Sequence, residues 1–282
     1  MKLATLIDAA SLNGLLGRAD VLIVDCRADI ADPQRAARDY AEGHVPGAVH
    51  ADLERELSDL SKRGFGRHPL PDAEPFSMLL ARWGWTPQTT VVAYDNANGA
   101  LAAARLWWMM RLIGHRATAV LDGGLGAWIR AGYSLTPETP SRPETRVHAG
   151  FDAAQIAYTD ELRSSAARIL LIDARATPRF RGEVEPIDPV AGHVPGAVNR
   201  PFSDNLEGDG RFKAAAILHE EFAALLGTHA PADVVHMCGS GVTACHNLLA
   251  MEHAGLPGSR VYAPSWSGWI ADPSRPVARG AI

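Results

Sequence analysis

The chain carries the same unit twice, and this repeat restricts its fold more than any other feature. Val21-Leu22-Ile23-Val24-Asp25-Cys26-Arg27 returns as Ile169-Leu170-Leu171-Ile172-Asp173-Ala174-Arg175, with the two aspartates 148 positions apart. Gly43-His44-Val45-Pro46-Gly47-Ala48-Val49 returns as Gly192-His193-Val194-Pro195-Gly196-Ala197-Val198, 149 positions on. Two fainter echoes pair Val91-Val92-Ala93-Tyr94-Asp95 with Val234-Val235-His236-Met237-Cys238, and the Trp128 region after Val120 with the Trp269 region after Val261. A solenoid repeats every 20 to 50 residues or so, so a period this long makes each copy a domain in its own right. The 282 residues suffice for two cores. The expected boundaries are 1–135 for the first domain, 136–150 for a linker and 151–282 for the second. Thr136-Pro137-Glu138-Thr139-Pro140-Ser141-Arg142-Pro143 is proline-rich and nearly free of apolar residues, as linkers are.

Within each copy, short apolar runs (21–24, 91–94, 169–172, 233–237) alternate with helical patterns (75–83, 100–113, 215–226, 242–254). Strands alternating with helices predict an α/β fold, each domain a mostly parallel sheet covered by helices on both faces. In that architecture ligands collect beyond the carboxyl ends of the strands.

With 47% hydrophobic and 21% charged residues the chain reads as globular. A net charge of -5 offers no basic stripe for a phosphate backbone, which argues against nucleic acid as a partner. No stretch approaches the roughly 18 apolar residues of a membrane span, and Asp8 interrupts the start before a signal-like run develops. Cys26, Cys238 and Cys245 are an odd number without a disulfide spacing, which fits a reducing, cytoplasmic setting. Ligand spacings typical of a metal site are absent from the sequence, so no metal is expected.

Cys238 follows an apolar strand directly, and Gly239-Ser240-Gly241 follows it before a helix begins. Glycine turns at a helix N-terminus let backbone N–H groups converge, and such a setting favours thiolate over thiol. A buried core cysteine is the alternative, but glycines at 239 and 241 suit a packed strand poorly. A cysteine phosphatase would need an arginine six residues on, where Ala244 stands. Cys245, on the following helix beside His246, reads as packing. Asp95 occupies the Cys238 position in the first copy, so the second copy is the one able to do nucleophilic chemistry.

These residues resemble the tandem-domain rhodanese-like sulfurtransferases. Besides the loop they include both Asp-x-Arg strands, both Gly-His-Val-Pro-Gly-Ala segments, Leu121-Asp122-Gly123-Gly124 and Ser265-Trp266-Ser267-Gly268-Trp269. Cys238-Gly239-Ser240-Gly241-Val242-Thr243 resembles the 3-mercaptopyruvate branch, with the thiosulfate enzymes as sister branch. The resemblance implies transfer of a sulfur atom from 3-mercaptopyruvate through a persulfide on Cys238, release of pyruvate, and a thiol, thioredoxin or cyanide as acceptor, with no cofactor. Gly239, Gly241, Val242 and Thr243 would line the site. Ser240, His44 and Asp32 would relay a proton, although Asp29 and Asp39 lie near Asp32 and His44 has a twin in His193. Arg179 would grip the donor's carboxylate, while Arg175, repeated as Arg27, would be structural.

Thiosulfate enzymes carry basic residues where Gly239 and Ser240 stand, so the loss of those cations favours the monocarboxylate donor over the dianion. Two departures qualify the match. Mercaptopyruvate enzymes bring a second arginine close to the position of Asp188, so that either carboxylate binding is weaker here or Arg181 substitutes. Ala263-Pro264 replaces the usual Asp-Gly, which would alter the rim around Trp266. Thiosulfate:cyanide transfer, or a binding module without turnover, are the alternative functions.

Overall fold

A computed structural model describes residues 5–164 and 168–281. They divide into two units, each with its own parallel sheet.

Unit 1 comprises the described residues up to Asp59, Pro71–Asp152 and Gly208–Arg211. Its strands β1 (Leu6–Ile7), β2 (Val21–Asp25), β3 (Ala48–His50), β4 (Thr90–Tyr94) and β5 (Thr118–Leu121) lie in the order β1-β5-β4-β2-β3, all parallel. Every residue of β2 is buried, which requires cover on both faces of the sheet. The helices are α1 (Ala9–Asn13), α2 (Arg35–Glu42), α3 (Ala73–Arg82), α4 (Ala103–Leu112) and α5 (Gly124–Arg130). All ten residues of α4 are buried. At about 25 cal/mol per Å2, the roughly 150–250 Å2 buried by an aromatic ring gives Trp107 and Trp108 about 4–6 kcal/mol each of gross stabilisation.

Unit 2 comprises Leu60–Leu70, Ala153–Glu207 and the described residues from Phe212 on. Strands β6 (Leu170–Asp173), β7 (Val198–Asn199), β8 (Val234–Met237) and β9 (Arg260–Val261) form a parallel sheet ordered β7-β6-β8-β9. Its helices are α6 (Thr159–Ser164), α7 (Thr177–Arg181), α8 (Ala215–Leu226), α9 (Thr243–His253) and α10 (Ser265–Trp269). Asp173 pairs with Met237, so the central strands β6 and β8 end at the same level, with Cys238 one residue beyond.

Both units are α/β with parallel strands, as the alternation predicts. The boundaries differ from those read off the sequence. Residues 60–70 of the first repeat pack with unit 2, and 208–211 of the second pack with unit 1. The proline-rich 136–150 segment is strapped to unit 1 rather than free. Thr136 pairs with His44, Arg142 donates to the Val21 and Ala19 carbonyls at 2.9 and 3.1 Å, and the Thr145 N–H donates to Ala81 O at 3.0 Å. Proline restricts the backbone of this segment, the Glu138 carbonyl meets His44 Nε2 at 3.1 Å, and the Ala149 N–H donates to Ser77 Oγ at 3.1 Å.

Candidate active site

The loop between β8 and α9 is held from both sides of Cys238. The Cys238 N–H donates to Ser265 Oγ at 3.1 Å, and that hydroxyl in turn donates to Tyr262 O at 2.9 Å. The Cys238 and Gly239 carbonyls accept from the Trp266 and Ser267 N–H groups, each at 2.9 Å. Within the loop the Gly241 N–H donates to Cys238 Sγ at 3.1 Å. Gly241 sits at φ +78°, and a side chain there would collide with the Ala263 carbonyl, so the turn that aims this amide at sulfur requires glycine. Val242 and Thr243 open α9, whose first-turn amides add partial positive charge at the loop.

Unit 1 shows what such a loop binds. Asp95, at the equivalent place after β4, accepts four backbone N–H groups: Ala97 and Gly99 at 2.8 Å, Leu101 at 3.0 Å and Ala103 at 3.2 Å. Burial pushes the Asp95 carboxyl above its ordinary pKa, and the four amides oppose that shift. The first repeat thus fills its loop with its own carboxylate, whereas the second presents sulfur.

Ser240 is hydrogen-bonded to His68, with Nδ1 2.8 Å from Oγ, and both residues are buried. The structure therefore gives Ser240 a different histidine from the one expected. His44 belongs to unit 1, where its ring nitrogens meet Tyr40 O at 2.8 Å and Glu138 O at 3.1 Å and its ring stacks on Tyr40 at 3.9 Å. Its twin His193 does the same with Phe180, at 2.8 Å to the carbonyl and 3.9 Å between rings. The shared Gly-His motif is a scaffold device, locking the turn to the preceding helix. Asp32, in unit 1, accepts the Gln34 N–H at 3.2 Å and pairs with Arg38 on the exposed side of α2.

Arg179, in the last turn of α7, lies over the loop. Its guanidinium donates to Glu185 Oε1 at 2.6 and 3.1 Å and reaches Asp188 Oδ2 at 3.2 Å. Burial pushes the Glu185 carboxyl up, but Arg179 and the Asp188 and Ile187 N–H groups outweigh it and leave the carboxyl below its ordinary range. Arg181 does not join this cluster; it is half-exposed and faces Glu183 at 3.8 Å. The second guanidinium comes from Arg67, which pairs with Asp188 Oδ1. A Cβ built on Gly239 would stand 2.9 Å from Arg67 Nη2 and 3.7 Å from both terminal nitrogens of Arg179. Arg175 is structural, as expected: it is bound to Asp173 and Gly192 O and stacked on Trp266, just as Arg27 holds Asp25 and Gly43 O.

Trp266 is not a rim residue. It is fully buried and donates to Val190 O at 2.9 Å, and Ala263 meets the loop through its backbone carbonyl beside Gly241. Cys245 is buried on α9 and its thiol donates to Gly241 O at 3.4 Å, and burial pushes the Cys26 thiol well up. Among the described residues no group of three or more His, Cys, Asp and Glu side chains is arranged to hold a metal ion. No helix among them is long and apolar enough to cross a membrane.

Arg67 and His68 escaped the sequence reading. The available signal was a basic pair set between glycines and prolines in Gly64-Phe65-Gly66-Arg67-His68-Pro69, a loop composition in which binding residues gather. Nothing in its spacing points to residues 121 or 172 positions away.

The rhodanese-like domain family matches twice, over residues 8–131 and 158–272. The "Probable 3-mercaptopyruvate sulfurtransferase" of Pseudomonas aeruginosa is 48% identical, the match covering 99% of this chain and 100% of that protein. The thiosulfate sulfurtransferase of Cricetulus griseus is 35% identical over 88% of this chain and 84% of its own. The solved 3-mercaptopyruvate sulfurtransferase of Leishmania major superimposes with a TM-score of 0.83 at 30% identity, covering 94% of this chain and 73% of that one. Two parallel α/β units, a cysteine in a glycine loop in the second and these likenesses agree: the chain belongs to the rhodanese-like family and is a tandem-domain sulfurtransferase.

Proposed function

We infer that the sulfur donor is 3-mercaptopyruvate. The Cys238 thiolate attacks the donor's sulfur, the sulfur–carbon bond breaks, and its electron pair leaves as the enolate of pyruvate. The products of this half-reaction are a Cys238 persulfide and, after one proton is added, pyruvate. The Gly241 N–H supports the sulfur anion before attack and the persulfide after it. An acceptor thiolate, thioredoxin included, then takes the outer sulfur as its own persulfide and restores Cys238; cyanide would leave as thiocyanate.

The observation that carries this reading is the His68–Ser240 hydrogen bond in the loop of the nucleophile. An enolate needs a proton as it departs, and a serine hydroxyl backed by imidazole supplies one. Sulfite, the leaving group from thiosulfate, departs as an anion without it. Arg179, and the loop residues Gly239, Gly241, Val242 and Thr243, form the surroundings of the donor. Transfer by a free thiolate also fits a reducing compartment, and the cytoplasm is the location proposed.

Thiosulfate is the second reading, favoured by the two guanidinium groups beside Gly239. Steady-state kcat/KM for both donors, with cyanide as common acceptor, separates them. Mercaptopyruvate is expected to exceed thiosulfate by at least about 10-fold, the worth of one charge-assisted hydrogen bond. A preference for thiosulfate would reject the proposal.

A further inference from the structure

Position 188 is where the resemblance calls for a second cationic side chain, and a lone carboxylate there would repel an anionic donor. The structure removes that conflict by bringing in a cation from a different segment. Asp188 is buried and takes Arg67 on Oδ1 and Arg179 on Oδ2. The two guanidinium groups thereby converge on Gly239, the residue next to the nucleophile. Arg67 Nε is buried without a hydrogen-bond partner among the described residues, which leaves this fork with unused donor capacity. Arg67, Arg179, Asp188 and Glu185 sum to no net charge.

We propose that Arg67 and Asp188 are a transposed ion pair that sets donor choice. Arg67 binds the donor's carboxylate together with Arg179. Asp188 positions both forks and keeps the pocket's charge low enough to suit a monoanion over a dianion. The assignment rests on the mercaptopyruvate reading but adds to it a binding residue and a specificity residue outside the signature loop. A guanidinium braced on one carboxylate is also preorganised, so it loses little side-chain freedom when the donor arrives.

The test uses the full chain with Arg67→Ala, Asp188→Asn, Arg67→Asp and the double exchange Arg67→Asp/Asp188→Arg. Two readouts are taken: kcat and KM for both donors, and the rate of Cys238 alkylation by iodoacetate relative to iodoacetamide, followed on the Cys238 peptide. The alkylation ratio compares an anionic and a neutral reagent on the same sample, so differences in enzyme concentration cancel, and far-UV circular dichroism with the urea midpoint of each variant confirms that the folded protein is being alkylated. Arg67→Ala is expected to raise the mercaptopyruvate KM about 10-fold or more with kcat changed by less than about 3-fold, and to lower the alkylation ratio by a similar factor, as loss of one charge-assisted contact requires. Asp188→Asn is expected to raise thiosulfate kcat/KM relative to mercaptopyruvate by about 10-fold. The double exchange is expected to recover the KM lost in Arg67→Asp, because it returns the cation from the other side of the pair. An unchanged KM and alkylation ratio in Arg67→Ala would overturn the proposal, as would an Asp188→Asn enzyme impaired equally with both donors. If the wild type ignores mercaptopyruvate, the donor reading fails by itself, and the alkylation ratio still decides whether Arg67 faces an anion next to Cys238.

Discussion

His68 Nδ1 lies 2.8 Å from Ser240 Oγ, joining residues 172 positions apart at the loop that carries the nucleophile. If this pair delivers the proton to a departing enolate, its loss should be felt by one donor and not the other. Ser240→Ala and His68→Ala are each expected to lower kcat with mercaptopyruvate about 100-fold, within the usual range for general acid–base catalysis, and to lower it with thiosulfate by less than about 10-fold. His44→Ala provides the contrast. Removing a stacked, buried ring is expected to cost about 2–4 kcal/mol in urea unfolding while the folded enzyme keeps its kcat.

Gly241 is held at φ +78° against the Ala263 carbonyl, and its N–H is the donor to Cys238 Sγ. Gly241→Ala must move the loop backbone to avoid the collision, which withdraws that amide. Activity with either donor is expected to fall at least about 100-fold, as when one oxyanion-type donor is lost. Far-UV circular dichroism should remain that of the wild type, because the strain is confined to one turn. Full activity in this variant would mean that the Gly241 amide has no part in transfer.

Acid should weaken the fold through His236, buried in β8 with Nε2 3.2 Å from Ser259 Oγ. Burial, helped by the charge of Arg200, pushes its pKa down to about 3, whereas an unfolded histidine takes its proton near 6.5. Between those values the unfolded chain binds a proton that the folded chain refuses. The stability is therefore complete above about pH 6.5 and is lost as the pH falls toward 3, by up to about 1.4 kcal/mol per unit. Urea midpoints at pH 5 and pH 7.5 measure this loss, and His236→Leu is expected to make it smaller. An identical acid sensitivity in the variant would assign the effect to other groups. His115, whose pKa burial also lowers, would be the next to test.

The tandem α/β architecture was legible because strands buried on both faces leave unbroken apolar runs, and Val21–Asp25 and Leu170–Asp173 repeat that signature at one spacing. The loop around Cys238 was legible for a related reason: a turn that needs positive φ writes glycine into the sequence at 241. The partners of that loop were not. Arg67 and His68 reach it from the first repeat through contacts that no periodicity encodes. His44 attracted attention by its motif, yet the same motif in His193 shows what it does in both copies: it closes a turn onto a helix carbonyl. A residue type shared by both repeats marks the scaffold, and the residues that differ, Cys238 against Asp95, mark the chemistry.

In the proposed mechanism every transferred sulfur passes through Cys238. Mass spectrometry of the protein after exposure to 3-mercaptopyruvate, without acceptor, tests it most directly. The expected result is a Cys238 peptide heavier by one sulfur atom, reverting on addition of cyanide, with pyruvate released in equal amount and no such adduct in Cys238→Ser. Pyruvate release by Cys238→Ser at the wild-type rate, or a sulfur adduct on Cys245 or Cys26 with Cys238 unmodified, would contradict it.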